Sequence, residues 1–385
     1  LRPRVAAEHL PVCAPMHPRR GHLLFRVVHH GRRIALETFH ALSDATGALG
    51  FLSDLVAAYV ELRHPDGPAP EIQQRNASTR ALARDGYAHY FPERKIPPLL
   101  PISLRALAAD GRLRGAADPE SSRRRSGGMR RASSASSRRL RRVRGTRTRD
   151  GRPRVVELTA SADQVRALAR AEGVSVTMYL TALFFASLRA TSQRLGVPGT
   201  FSASIPVDLR RFYPSDSPRN FFATVRVAHR YGEGADDLGS VCRLLEARFR
   251  ARATPTALAR RVRALVRVEE SILVRVIPRR LKDGPLGLIG RTAGRGFTVA
   301  VSNLGAVTLP EPAAGRVRRL LFHVSAVRPQ LSVVSCSGVL TMCFTSPFTE
   351  VDHVREFARA LGVRGVETTI AVAPTTEDEL AGVGP

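Results

Sequence analysis

His40 and Asp44 are the two residues of this chain whose types and spacing could do chemistry; they lie in the stretch Arg33-Ile-Ala-Leu-Glu-Thr-Phe-His40-Ala-Leu-Ser-Asp44-Ala-Thr-Gly47. An imidazole titrates near pH 6.5, so at neutral pH it can take a proton from a hydroxyl or an amine and hand it back. A carboxylate four residues later can fix the loop that presents the histidine. At a helix start it is also accounted for by the helix dipole. With 11 histidines in the chain, a His and an Asp at this spacing also arise by chance, so the elements around the pair must decide.

Those elements are legible. Leu23–Val28 and Ile34–Phe39 are apolar or alternating around His29-His30-Gly31, which predicts a β-hairpin with His40 just past its second strand. From Thr46 to about Arg63, the residues Leu49, Leu52, Val56, Tyr59 and Val60 recur at helical spacing, with Phe51 and Leu55 widening the stripe. Thr46 is the expected N-cap. The pair thus falls in a strand-to-helix loop.

The remainder reads as a mixed α and β chain. Prolines break residues 64–105, apart from a short helix near Ala81–Tyr90. Residues 119–151 are Ser/Arg/Gly-rich and are expected to form a poorly ordered linker between an N-terminal part, 1–118, and a C-terminal part, 152–385. Beyond it, Arg154–Thr159 is a strand, and Ser161-Ala-Asp-Gln164 is a capping-box pattern opening a helix to about Ala171. A nearly all-apolar helix spans Thr177–Leu195 and is expected to be buried. Strands are expected at Phe201–Ile205, Ala223–Ala228, Phe297–Ser302, Arg319–Val324, Leu331–Ser337 and Val339–Thr345. Helices are expected at Gly239–Ala251, Thr256–Glu269 and Asp352–Leu361, with a meander-like sheet near the C-terminus.

Composition excludes some classes. The chain has 385 residues and a net charge of +27, carried by 58 arginines and two lysines, Lys95 and Lys282. Residues 121–149 hold 12 of those arginines and no acid, so much of the charge is local. No aromatic platform or reading motif accompanies it, which counts against a nucleic-acid partner. Cys13, Cys242, Cys336 and Cys343 form no metal-spaced pair, so no metal site is expected and they read as reduced thiols. No apolar run reaches the ~18 residues of a bilayer span. The best candidate, Met178–Leu188, suits a buried helix, and the protein is expected to be cytoplasmic.

Three stretches expected at strand ends carry a resemblance: Phe39-His40-Ala-Leu-Ser-Asp44-Ala45; Ile205-Pro-Val-Asp-Leu-Arg210-Arg-Phe212 with Arg219-Asn220-Phe-Phe222; and Val301-Ser302-Asn303-Leu-Gly305. Together they resemble the chloramphenicol-acetyltransferase-like superfamily, which includes condensation domains, and most nearly its bacterial alcohol-acetyltransferase-like group. The superfamily signature is His-His-x-x-x-Asp-Gly, whose second His is catalytic; here Phe39 replaces the first His and Ala45 the Gly. The resemblance implies an α/β fold of two lobes with a channel between them, and an N-terminal lobe truncated relative to its kin. It implies no bound cofactor and acyl-CoA, such as acetyl-CoA, as co-substrate. His40 would be the general base toward a small alcohol or amine acceptor, and Asp44 would form a structural ion pair with Arg210. Asn220 would border the channel, Ser302 or Asn303 would meet the oxyanion or shape the channel, and Gly305 would complete that stretch. Arginines at the channel mouth would meet coenzyme A phosphates. A carrier protein is the alternative acyl donor, and a non-catalytic scaffold of the same fold the alternative to an enzyme.

Overall fold

The computed structural model describes Val5–Ala6 and residues 23–64, 85–92, 140–148, 151–192, 199–269, 296–325 and 327–373. Cys13, the expected linker up to residue 139 and the start of the expected helix at Ala81 lie outside them.

A three-stranded sheet runs in the order β1 (Val5–Ala6), β2 (Phe25–His30), β3 (Arg33–Thr38). The β2–β3 hairpin forms in the register Phe25↔Thr38 to His30↔Arg33, with Gly31 at φ 53° supplying the positive dihedral of its turn. After the hairpin comes helix α1 (Ala45–Arg63).

The second sheet has seven strands and forms the body. Its members are β4 (Arg154–Ser161), β5 (Gly199–Asp208), β6 (Phe222–Tyr231), β7 (Val299–Ala306), β8 (Gln330–Cys336), β9 (Val339–Ser346) and β10 (Thr369–Val372), in the order β10-β4-β9-β8-β7-β5-β6. The expected C-terminal meander is replaced by a mixed arrangement. β7 lies parallel to both β5 and β8, so the chain must cross over between them, and only β8–β9 and β5–β6 are antiparallel sequence neighbours. Residues 319–324 form no strand, because they lie outside the ladder and Leu320 packs instead against Val60 and Leu309.

Helices α3 (Ala162–Ala171), α4 (Val176–Ala190), α5 (Leu238–Arg252), α6 (Pro255–Glu269) and α7 (Asp352–Gly362) join this sheet in one core. The Ser161 side chain caps α3 by accepting from the Gln164 N–H, and Ser175 caps α4 through Met178. Ten of the eleven positions of α4 from Met178 to Leu188, all except Ala186, are buried, as its apolar composition demands. Phe184 meets Phe344 edge-on at 5.3 Å, and Phe344 meets Phe357 of α7 at 5.1 Å.

The outer edge of β6 is occupied by side chains. The carbonyls of Thr224, Arg226 and Ala228, at every second residue, accept from Arg261, Arg252 and Arg248 of α6 and α5.

One expectation is corrected here. The last part of the presumed linker is held: Arg141 N–H bonds the Thr200 carbonyl at 2.8 Å, Thr146 N–H bonds the Glu350 carboxylate at 2.8 Å, and Val143 packs on the main core. Among the described residues one helix, α1, is long and apolar enough by length and composition alone to cross a bilayer, at 19 residues with a window of mean hydropathy 1.3; its one buried residue, Val60, packs on Leu309, Ala313 and Cys336.

A partly buried ionic contact ties the hairpin to the large sheet. Arg33, at the start of β3, grips Glu157 of β4 with both guanidinium nitrogens at 2.9 and 3.1 Å, and His323 Nε2 sits 3.1 Å from the same carboxylate. Burial alone would raise the Glu157 pKa; the His323 and Arg33 contacts more than offset it and hold the carboxyl at about 2.

Candidate active site

His40 occupies the turn that follows β3, exposed to solvent. Its ring stands 5.7 Å from that of Phe222, tilted by 46°. Its backbone carbonyl accepts from Asn220 Nδ2 at 2.8 Å. Among the described residues no hydrogen bond reaches its ring nitrogens. A base needs this: one lone pair left free for a proton.

Asp44 is committed to structure. It is 6% exposed and stands at the N-cap of α1. Its Oδ1 accepts from Gly47 N–H at 2.9 Å; its Oδ2 accepts from Phe221 N–H at 2.7 Å and pairs with Arg210 Nη1 at 2.8 Å. Asp44, not Thr46, therefore caps the helix. The Thr46 hydroxyl is drawn away to donate to Asp208 Oδ2 at 3.1 Å.

Arg210 lies in the short 3₁₀ turn Leu209–Arg211 after β5, and it binds the loop closed around it. Nη1 bridges Asp44 to Asp208, the latter at 3.2 Å; Nη2 donates to the carbonyls of Ser217 at 2.9 Å and Arg219 at 2.6 Å. Burial acts to lower the Arg210 pKa, but the hydrogen bond and charge of Asp44, seconded by Asp208, hold it above its ordinary value. The guanidinium's planar fork is what allows four acceptors to converge on two nitrogens.

The returning loop, residues 217–221, comes so close to α1 that Gly47 has no room for a side chain. A Cβ there would press into the Pro218 carbonyl and the Ser43 hydroxyl, which themselves bond at 2.6 Å. We expect Gly47→Ala to destabilise the protein by about 1–3 kcal/mol through forced displacement of backbone. Chemical denaturation against the wild type measures it, and an unchanged midpoint would refute the close approach.

Helix α2 (Gly86–Tyr90) braces the same loop from the other side. Gly86 abuts the Phe221 ring, Tyr87 meets that ring edge-on at 5.2 Å, and the Tyr90 hydroxyl donates to the Pro214 carbonyl at 2.5 Å.

Ser302, Asn303 and Gly305 form a separate group on β7. Ser302 is buried opposite Ser332 of β8. Asn303 donates from Nδ2 to Thr177 of α4 at 3.0 Å and accepts the Gly305 N–H at 2.8 Å, while Gly305 takes φ 79° at a break in the β7–β8 register. No hydrogen bond, ion pair or ring contact among the described residues joins this group to His40. Two cavities of about 340 and 390 Å³ are lined by residues at or near α4, α5 and α7, and neither is lined by His40.

Asp208, Tyr87 and Phe222 complete the geometry and were not singled out by sequence. Asp208 sits two residues before Arg210, an Asp-x-Arg spacing that could have flagged it. Nothing local marks Tyr87.

No protein-family model matches the chain, and no curated protein matches it in sequence. Solved structures do show likeness. One is the condensation domain that mediates chain release from the enacyloxin polyketide synthase, with TM-score 0.43, 15% identity, and coverage of 88% of this chain and 60% of that one. A second is polyketide synthase associated protein 5 from Mycobacterium tuberculosis, with TM-score 0.46, 14% identity, and coverage of 93% and 80%. A third is TRI101 of F. graminearum, solved with coenzyme A and T-2 mycotoxin, with TM-score 0.49, 14% identity, and coverage of 89% and 69%. The chain thus spans less than two thirds of the length of the first of these.

Proposed function

We propose that this protein is an acyltransferase in which His40 is the general base, moving an acyl group from acyl-CoA to the hydroxyl of a small acceptor. The observation that carries the reading is a division of labour within the His40–Asp44 motif. Both carboxylate oxygens of Asp44 are consumed by Gly47, Phe221 and Arg210, while among the described residues no hydrogen bond reaches the ring nitrogens of His40, exposed on the same loop.

In this mechanism a His40 ring nitrogen accepts the acceptor's proton as its oxygen attacks the thioester carbonyl. The tetrahedral intermediate collapses with rupture of the carbon–sulfur bond. The thiolate leaves and takes the proton back from the imidazolium, so base and acid are one side chain and no acyl-enzyme forms. Asp44 and Arg210 hold the turn at a fixed distance from the returning loop, so that the ring need not be ordered when substrate arrives.

The test is release of free CoA thiol from acetyl-CoA with a panel of alcohols and amines, comparing wild type with His40→Ala. We expect acceptor-dependent release to fall by about 10²–10⁴-fold in the variant, the range ascribed to a positioned base. Release that persists in the variant would overturn the assignment. Transfer only from an acylated phosphopantetheinyl carrier, still dependent on His40, would keep the base and change the donor.

A further inference from the structure

The Tyr87 hydroxyl is placed in an unusual way. It donates to the Phe222 carbonyl at 2.5 Å and accepts the Phe222 N–H at 3.0 Å, so one phenol serves both backbone groups of one residue. Phe222 opens β6, the edge strand of its sheet, and on its paired side it faces Asp208 of β5. Among the described residues no further strand lies on the open side to bond its peptide groups, and Tyr87 takes that place. Burial raises the Tyr87 pKa, so the phenol keeps its proton and with it the donated bond.

Phe222 is also the residue whose ring leans on His40, and its neighbour but one, Asn220, holds the His40 carbonyl. The segment 220–222 therefore touches His40 at ring and backbone, and Tyr87 fixes its far end. Tyr90, on the same helix, anchors a different place, Pro214.

We infer that Tyr87 is a positioning residue for the His40 imidazole, acting through Phe222. The inference rests on the reading of His40 as the base, but its geometry can be tested without turnover. Replacing the hydroxyl by hydrogen leaves two backbone groups without a partner, frees the start of β6 to shift, and carries the Phe222 ring away from its present angle to His40.

The experiment uses the full chain with isotopically labelled histidine. The His40 ring signals are identified in NMR spectra by their loss in His40→Gln, then compared among wild type, Tyr87→Phe and Tyr90→Phe. We expect Tyr87→Phe to displace the His40 ring-proton signals beyond a linewidth, while Tyr90→Phe leaves them in place. In the thiol-release assay Tyr87→Phe lowers kcat about 10–100-fold with KM unchanged, the cost of a misplaced base. A folded Tyr87→Phe with His40 signals superimposed on wild type overturns the inference. If that variant does not fold, 3-fluorotyrosine at position 87 alters the balance of the two bonds while keeping them, and an unmoved His40 signal overturns it equally. Acyl transfer that survives His40→Ala would remove the catalytic reading and leave the NMR comparison standing; an unmoved signal with transfer lost in His40→Ala would remove this inference alone.

Discussion

Arg210→Met destabilises the protein by about 3–5 kcal/mol, because it strands the Asp44 carboxylate without its counter-charge in a setting only 6% exposed. The loss goes beyond one pair. The Ser217 and Arg219 carbonyls lose their donor, and Asp208 loses one of its own, so the loop that carries Asn220 and leads to Phe222 is released at several points together. Arg210→Lys recovers little, since one ammonium cannot reach Asp44, Asp208 and two carbonyls from a single point. The proposed acyl transfer should fall with stability, and the two can be separated by assaying below the unfolding transition. Equilibrium urea unfolding decides the matter: a change under 1 kcal/mol in Arg210→Met would mean the pair is solvated and peripheral.

The second large effect is acid sensitivity in two stages. His353 of α7 is buried beside Phe184, and that burial pushes its pKa down to about 4. The unfolded chain holds this proton near pH 6.5, so the unfolded state binds more protons between about 6.5 and 4 and stability falls as pH falls through that window, by about 3 kcal/mol. Glu157, held at about 2 against an ordinary 4.5, adds a further loss of similar size from about pH 4.5 down to 2, where protonation dissolves its contacts with His323 and Arg33. Urea unfolding measured from pH 6.5 to 3 should show a continuous decline; above that window His323, raised against its burial to about 9 by its contacts with Cys343 and Glu157, makes stability rise as pH falls from 8. His353→Leu should flatten its upper limb, and Glu157→Gln should lower stability at pH 7 while flattening the lower limb. An upper limb unaffected by His353→Leu would place that imidazole in contact with water.

The comparison of sequence with structure is instructive at particular residues. Apolar periodicity located α4 and the hairpin because each is decided within its own segment, by an all-apolar helix and by alternation around a Gly turn. The cap of α1 was misplaced by two residues: Thr46 has the right chemistry for a cap, but Asp208, distant in sequence, competes for its hydroxyl. Residues 319–324 have the apolar content of a strand but, among the described residues, no partner strand, a fact that only topology supplies. The meander failed for the same reason, since parallel pairing of β7 on both sides depends on crossovers invisible to local pattern. Within the site, His40, Asp44 and Arg210 were legible as motif residues, whereas Tyr87 works through a hydroxyl bonded to backbone 135 positions away. No spacing rule encodes such a contact.

The arginines along β6 have a consequence for assembly. An edge strand with free carbonyls is a template on which another chain can lay a strand, and sheet proteins that fail do so by growing along that direction. Here Arg248, Arg252 and Arg261 engage the outward carbonyls of Ala228, Arg226 and Thr224 in turn, so an incoming strand would have to displace three charged groups before forming its first ladder bonds. Three of the 58 arginines of this chain thus occupy carbonyls that a templated strand would need.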